Sequence, residues 1–168
     1  PAELFSKLWS TEYLRAEQIR GFDIYSSFTG GPLLAEIEQR YGARRALPLY
    51  CSFDPERYCR VAPVRKFTCD LSYVGTYAPD RQPKIEALLH GVAQRLPERR
   101  FIVAGPQYPR KVTWAPHVKP ITHLNTEWHP AVYSSSRIKL NVPRRQIVQS
   151  ADSPPVRPFA PPARGARV

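Results

Sequence analysis

Two kinds of apolar spacing alternate along this chain. Leu71 to Val74 and Phe101 to Ala104 are short apolar runs of strand length, and each stops at a glycine, Gly75 and Gly105. Between them a turn holds Pro79 and Asp80, and residues 81–96 carry apolar positions at helical spacing. The pattern predicts strand, glycine turn, helix, strand, glycine turn, which is a βαβ unit. The same order occurs upstream. Residues 22–28 are a β-rich run ending in Thr29-Gly30-Gly31. Pro32 then suits a first helical position, where its missing N–H is harmless. Leu33, Leu34, Ile37 and Tyr41 form an apolar stripe, Gly42 stops it, and Ala46 to Tyr50 reads as a strand. Residues 3–20 also have helical spacing, through Leu4, Leu8, Trp9, Leu14 and Ile19.

The remainder is less regular. Residues 51–69 are polar and proline-bearing, and read as a connection whose last part, 59–69, links two lobes. Past Gly105, a proline-bearing loop over 106–116 leads to a short strand, Val118 to Ile121. Thr126 to Ser135 reads as a helix with Thr126 as cap and Trp128 and Tyr133 as packing residues. Arg137 to Val142 reads as a strand. Residues 151–168 form a tail rich in proline and arginine, which is no regular helix because each interior proline costs ~3 kcal/mol. The expected fold class is therefore α/β, with parallel sheets in two lobes, residues 1–58 and 70–150. Ligands of such sheets sit at the carboxyl ends of the strands, and the cleft between lobes is the default site.

Composition adjusts this picture. The chain has 168 residues, 19 prolines and no methionine, and it opens on Pro1. A fragment or a processed product is the expectation. Its net charge of +11 invites a nucleic-acid reading. Yet from Arg137 onward seven basic residues face only Asp152, so more than half of the surplus lies near the end of the chain. That segment lacks the aromatic interleaving of single-strand binders, so nucleic acid is an unfavoured partner. No apolar run approaches the ~20 residues of a membrane span. Cys51, Cys59 and Cys69 are odd in number, which points to free thiols in a reducing, cytoplasmic setting. A Cys51–Cys59 pair is sterically conceivable. A zinc site with His117, His123 or His129 would lack the usual ligand spacing.

Several blocks resemble a known family. DLSYVGTYAPDRQPKIEALL, RRFIVAGPQYP, VKPITHL, HPAVYSSSRIKLNV and SPPVR, with SSFTGGPLLAEIEQRYGARRALPLYCSFDPERY upstream, resemble the CgeB-type family. Its members are called spore maturation or glycosyltransferase-like proteins, and the likeness covers roughly residues 22–157. The resemblance implies a GT-B glycosyltransferase with two Rossmann-like lobes, incomplete at both ends here. Residues 1–58 would be the end of the N-terminal lobe, and 70–150 the first half of the donor-binding lobe. A nucleotide-diphosphate sugar would be the substrate and the acceptor is unknown. No metal and no separate cofactor is expected, because backbone N–H groups and arginines would meet the diphosphate charge. Pro158 stands where the family has leucine, Ala160 where it has a glutamate expected to bind the donor, and Pro161 and Pro162 follow. The resemblance therefore allows a truncated, inactive chain, or a structural relative without turnover.

Within that frame the candidate residues each carry an ordinary alternative. Gly75 and Thr76 suit a diphosphate through backbone N–H groups near a helix N-terminus, or form a plain turn. Arg81 would pair with phosphate oxygens, or be a solvated arginine. Gly105, Pro106, Gln107 and Tyr108 would border the donor, with Tyr108 against base or sugar, or form a proline-stiffened loop. His123 would lie where the base is received, or be a surface group. Asn141 and Arg144 follow the last strand toward the phosphates, and Arg157 would be a second phosphate partner. Thr29, Gly30 and Gly31 would face the cleft from the other lobe, or be a structural turn. No catalytic base is identified, and His129 and Asp54 are the visible candidates.

Overall fold

The computed structural model describes residues 16–50, 52, 54–145 and 148. These fall into two compact units that divide between residues 52 and 53, with Arg145 grouped with the first. The first unit is a small βαβ arrangement. Of the helix expected over 3–20, only α1 (Ala16–Ile19) lies among the described residues. Strand β1 (Tyr25–Ser27) pairs in parallel with β2 (Ala46–Pro48), Tyr25 lying opposite Ala46. Helix α2 (Pro32–Tyr41) joins them. Gly31 precedes it at φ 63° and Gly42 closes it at φ 75°, so both ends use backbone that favours glycine. Leu33 and Ile37 bury the apolar stripe against Ile19, Ala43 and Ala46. The strands are shorter than the apolar runs suggest. Phe22, Ile24 and Phe28 of the β1 region remain exposed and gain no packing from the ladder.

The second unit holds a four-stranded, all-parallel sheet in the order β5-β4-β3-β6. Its strands are β3 (Cys69–Val74), β4 (Phe101–Ala104), β5 (Val118–Ile121) and β6 (Ser136–Lys139). Every residue of β4 is buried, as expected of a central parallel strand covered on both faces. The helix between β3 and β4 runs as α3 (Gln82–Ile85), one π turn (Glu86–His90) and α4 (Gly91–Arg95). Ile85, Leu89 and Ala93 seal one face of the sheet against Tyr73, Phe101 and Val103. Truncating Leu89, which is fully buried, would remove ~2–5 kcal/mol. Helix α5 (His129–Ser135) covers the opposite face through Ala131, Val132 and Tyr133.

The proline-bearing stretch before β3 is docked on α5. Val61 N–H donates to Ser134 Oγ at 3.2 Å and Val64 N–H to Ser135 Oγ at 2.8 Å. Phe67 then enters the core edge-on to Trp128, and Lys66 Nζ lies 3.6 Å above the Trp128 ring. Side-chain hydroxyls thus satisfy backbone donors in a segment that has no ladder of its own.

At the carboxyl edge of the sheet two loops meet backbone to backbone. Gly75 N–H donates to Ala104 O at 2.7 Å, Gly105 N–H to Ile121 O at 2.9 Å, and Tyr77 N–H to Pro106 O at 3.0 Å. A Cβ on Gly105 would fall 2.1 Å from Gly75 O, and Gly105 has φ 153°. At the amino edge Asp70 gathers the strand starts. It accepts from Arg100 N–H at 3.1 Å, from Arg99 at 3.4 Å and from Arg137 at 3.2 Å. The Arg100 backbone bond holds its carboxyl below the usual range, burial opposes it, and the Arg99 and Arg137 guanidinium groups add to the lowering.

Two predictions follow from these edges. Gly105→Ala should destabilise the second unit by ~1–3 kcal/mol through backbone strain and steric clash. Gly91→Ala, where the new Cβ meets only Glu86 O at 3.4 Å, should be neutral or stabilising. Urea melts of the two variants check the contrast. Asp70→Asn should lower stability at neutral pH by on the order of 1 kcal/mol. A carboxyl whose folded pKa is depressed stabilises above its unfolded value near ~3.9 and loses that contribution as pH falls through the folded pKa. The gap between wild type and Asp70→Asn in melts at neutral and at strongly acid pH should therefore close on the acid side.

Candidate functional site

The order of the strands locates a crevice. From β3 the chain steps outward to β4 and then β5, and returns through α5 to place β6 on the other side of β3. The strand order thus reverses at β3, and the carboxyl ends of β3 and β6 flank a topological switch point. In open parallel sheets that is where ligands bind. Leu140 N–H donates to Ser72 O at 2.8 Å, which keeps the chain beside β3 until Asn141.

The polar groups at this edge are unevenly committed. Gly75 N–H belongs to the sheet, as its bond to Ala104 O shows. Thr76 N–H makes no backbone hydrogen bond among the described residues. Asn141 Oδ1 is buried and has no hydrogen-bond partner among the described residues. An acceptor left in that state costs ~1–3 kcal/mol. Arg144, half-buried three residues on, forms no ion pair or hydrogen bond among the described residues. A backbone donor, an amide carbonyl and a guanidinium thus stand on the two loops that flank the switch point.

Arg81 occupies a different place from that of a solvated helix-start arginine. It is 5% exposed, and its guanidinium donates to Thr76 O. It holds the Gly75–Thr76 turn from behind. Gln107 is exposed at the tip of the next loop and is the one non-glycine residue with positive φ, 69°, among those described. Tyr108 is half-buried. Its hydroxyl donates to Gly75 O at 3.4 Å, and its ring packs edge-on against Tyr77 and Trp114, each at 5.6 Å. The glycine turns are thus braced by Arg81 and Tyr108 together. His123 is exposed just beyond β5. Arg157 lies outside the described residues.

Thr29, Gly30 and Gly31 belong to the first unit. Thr29 N–H donates to Ser27 Oγ at 3.2 Å, and Gly31 starts α2. The two candidate bases have local partners. Asp54 Oδ1 accepts from Glu56 N–H at 2.9 Å, and His129 packs edge-on to Tyr133. Cys59 and Cys69 are free thiols. Burial pushes the Cys69 thiol up, and it lies 3.2 Å from Ser136 Oγ. Among the described residues no group of three His, Cys, Asp or Glu side chains is placed to hold a metal ion. No described helix is long and apolar enough to cross a membrane.

Sequence reasoning missed a second polar feature. Gln82, Glu86 and His90 line one wall of a cavity opposite Lys111, Thr113 and Trp114. Their i, i+4, i+8 spacing is visible in the sequence, but an amphipathic helix is expected to carry polar residues on its outer face.

Comparison with known proteins supports the fold and the kind of domain. Sucrose-phosphate synthase from Thermosynechococcus elongatus is similar in structure, with a TM-score of 0.60 over 90% of this chain and 41% of that chain, at 14% sequence identity. At that identity the likeness shows the fold: mixed α/β with parallel, Rossmann-like sheets of the GT-B kind. The chain spans about two-fifths of the length of that protein. No match was found among curated proteins. The family model described as glycosyl transferase-like matches residues 81–168, which take in the end of β3's connection, α3 to β6 and the proline-rich segment. Since that match spans just over half of the sequence, the chain belongs to the glycosyl transferase-like family.

Proposed function

We propose that this chain forms the donor side of a glycosyltransferase of the CgeB type, which moves a sugar from a nucleotide-diphosphate sugar to an acceptor. The observation that supports this most is the switch point itself. There Thr76 N–H, Asn141 Oδ1 and the Arg144 guanidinium have no hydrogen-bond partner among the described residues, while the groups behind them are tied into the fold.

The chemistry follows from charge. When the bond from the anomeric carbon to the diphosphate breaks, negative charge grows on the leaving phosphate. Arg144 and Thr76 N–H would meet that charge with preorganised donors. Asn141 Oδ1 would accept from a donor hydroxyl. Arg81 and Tyr108 act through the turn: Arg81 holds Thr76 O, and the Tyr108 hydroxyl holds Gly75 O, the carbonyl of the peptide that carries the Thr76 N–H. Gln107 and His123, exposed on the outer loops, would face the base. Arg157 would add a second cation. The acceptor hydroxyl must lose a proton to a base that this reading leaves unassigned. The nucleotide sugar is the substrate, and the reading invokes neither metal nor separate cofactor. A cytoplasmic setting suits both a nucleotide-sugar pool and free thiols.

A second reading is a non-enzymatic relative that keeps the α/β core. The alanine at 160, where the resembling family has glutamate, favours it.

Thermal melts of the chain with UDP, GDP, ADP and TDP at millimolar concentration separate the two. A ligand at 100 times its dissociation constant stabilises by ~2.7 kcal/mol, so one nucleotide should raise the melting temperature. Arg144→Ala should remove about 1.5–3 kcal/mol of that binding, and Asn141→Ala a smaller part, while the melt without ligand stays put. A cooperative melt that none of the four nucleotides shifts would rule out the donor reading and leave the non-enzymatic one.

A further inference from the structure

Beside the α3 helix lies a cavity of about 510 Å³, wholly within the second unit. One wall is helical: Gln82, Pro83, Glu86 and His90. The other is the loop after β4, with Lys111, Val112, Thr113 and Trp114, and Tyr77 and Pro79 complete the lining. Tyr77 follows the Gly75–Thr76 turn, but Thr76, Asn141 and Arg144 are not among its lining residues.

The wall is built by the π turn. Residues four apart on an α-helix drift round its axis by ~40°, because 3.6 residues make a turn. The wider turn at Glu86–His90, closed by Gly91 N–H to Glu86 O, takes fewer degrees per residue. It brings His90 back into line with Gln82 and Glu86. The result is one polar row about 12 Å long, from the 1.5 Å rise of eight residues.

The row is chemically unfinished. Gln82 is 7% exposed, and its Nε2 donates to Glu86 at 3.0 Å, but its Oε1 is buried with no partner among the described residues. His90 Nδ1 is in the same position. Gln94 Nε2 lies 3.1 Å from His90 Nε2. An amide nitrogen only donates, so Nε2 accepts and the neutral ring keeps its proton on Nδ1. The wall therefore offers an acceptor at Gln82, a carboxylate at Glu86 and a donor at His90. Both atoms are buried as the fold stands; the terminal torsions of Gln and His are broad, and a turn about them would bring these atoms to the cavity. The Trp114 ring lines the same cavity, packed beside His90 at 6.1 Å and Tyr108 at 5.6 Å. Among the described residues, the charged ones in the lining are Glu86 and Lys111, which cancel.

We infer that this cavity is a second, saccharide-binding site, which takes a neutral oligosaccharide. Hydroxyls both donate and accept, as the mixed row requires, and they recur along the whole ligand rather than on one edge as in a nucleobase. The C–H faces of sugar rings suit the apolar face of Trp114. Balanced charge gives no advantage to a phosphate. The inference stands on this wall alone and does not depend on the donor reading.

Calorimetric titration of the chain with maltotriose, cellotriose and chitotriose, without nucleotide, tests it. At least one trisaccharide should bind with a dissociation constant below about 10 mM. Gln82→Leu and Trp114→Ala should each weaken that binding by about tenfold or more. Gln82→Leu removes a buried unpartnered acceptor, so its melting temperature should hold or rise, and the loss of binding cannot be put down to unfolding. Nucleotide-induced shifts should survive in Gln82→Leu. No binding of any of the three to a cooperatively melting chain, or binding that both variants retain, would overturn the proposal. So would adenosine binding that the same variants abolish while no trisaccharide binds.

Discussion

The second unit depends on one backbone contact, the approach of Gly105 to Gly75. Parallel strands need their following loops to leave the sheet side by side, and here the two chains pass with no room for a Cβ between them. The contact is bonded on both sides, by Gly75 N–H to Ala104 O and by Tyr77 N–H to Pro106 O. Everything at the carboxyl edge takes its place from it. Tyr108 reaches Gly75 O because the loops are this close, and its ring then sets Tyr77 and Trp114. Gln107 accepts a φ of 69° because the flanking residues are fixed. Thr76 is left with its carbonyl turned to Arg81 and its N–H away from the ladder.

Much of this was legible in the sequence at the level of elements. Leu71 to Val74 and Phe101 to Ala104 are continuous apolar runs because both faces of a central parallel strand are covered, and their glycines mark where the strands end. Pro32 and Gly42 frame α2 for reasons that are local to the backbone. What was not legible is what depends on partners distant in sequence. Whether β6 pairs with β3 or with β5 is settled by packing of α5 across the far face, and no residue of Ser136–Lys139 announces it. Without that neighbour the switch point has no address. Arg81 has the sequence signature of a solvated or phosphate-bound arginine, and only the turn geometry shows that it faces Thr76 O. The stretch 59–69 lacks period because its hydrogen-bond partners, Ser134 and Ser135, lie some 70 residues away. The π turn has no composition cue in EALLH.

Charge is organised by edge rather than by total. The surplus of eleven positive charges would suggest a uniformly attractive surface for anions. Yet Asp70 neutralises part of it at the amino edge by holding Arg99 and Arg137 while its carboxylate caps Arg100 N–H. Those arginines are tied to strand starts, at the end of the sheet remote from the crevice. Lys66 is likewise stacked on Trp128. At the carboxyl edge Arg144 stands without such a partner among the described residues, so a single cation there counts for more than its share of the net charge.

Buried polar atoms without partners are uncommon in folded proteins, and each lowers stability by a fraction large enough to be selected against unless something answers it. Ser72 Oγ is one such atom among the described residues, inside β3, and others lie nearer the surface. Asn141 Oδ1 sits at the switch point, and Gln82 Oε1 and His90 Nδ1 sit along one cavity wall. The same unit satisfies far less promising donors: the N–H groups of Val61 and Val64 are met by serines, and Lys139 Nζ by Ser136 O. A fold that closes these incidental groups while Asn141 Oδ1, Gln82 Oε1 and His90 Nδ1 stay unpartnered among the described residues has the pattern of a binding protein, where a ligand supplies the missing partner. The two places differ in what they ask for. The switch point pairs its amide with a guanidinium and a backbone N–H, which suits an anion. The cavity wall pairs its amide with a carboxylate, an imidazole and an indole face at balanced charge, which suits hydroxyls.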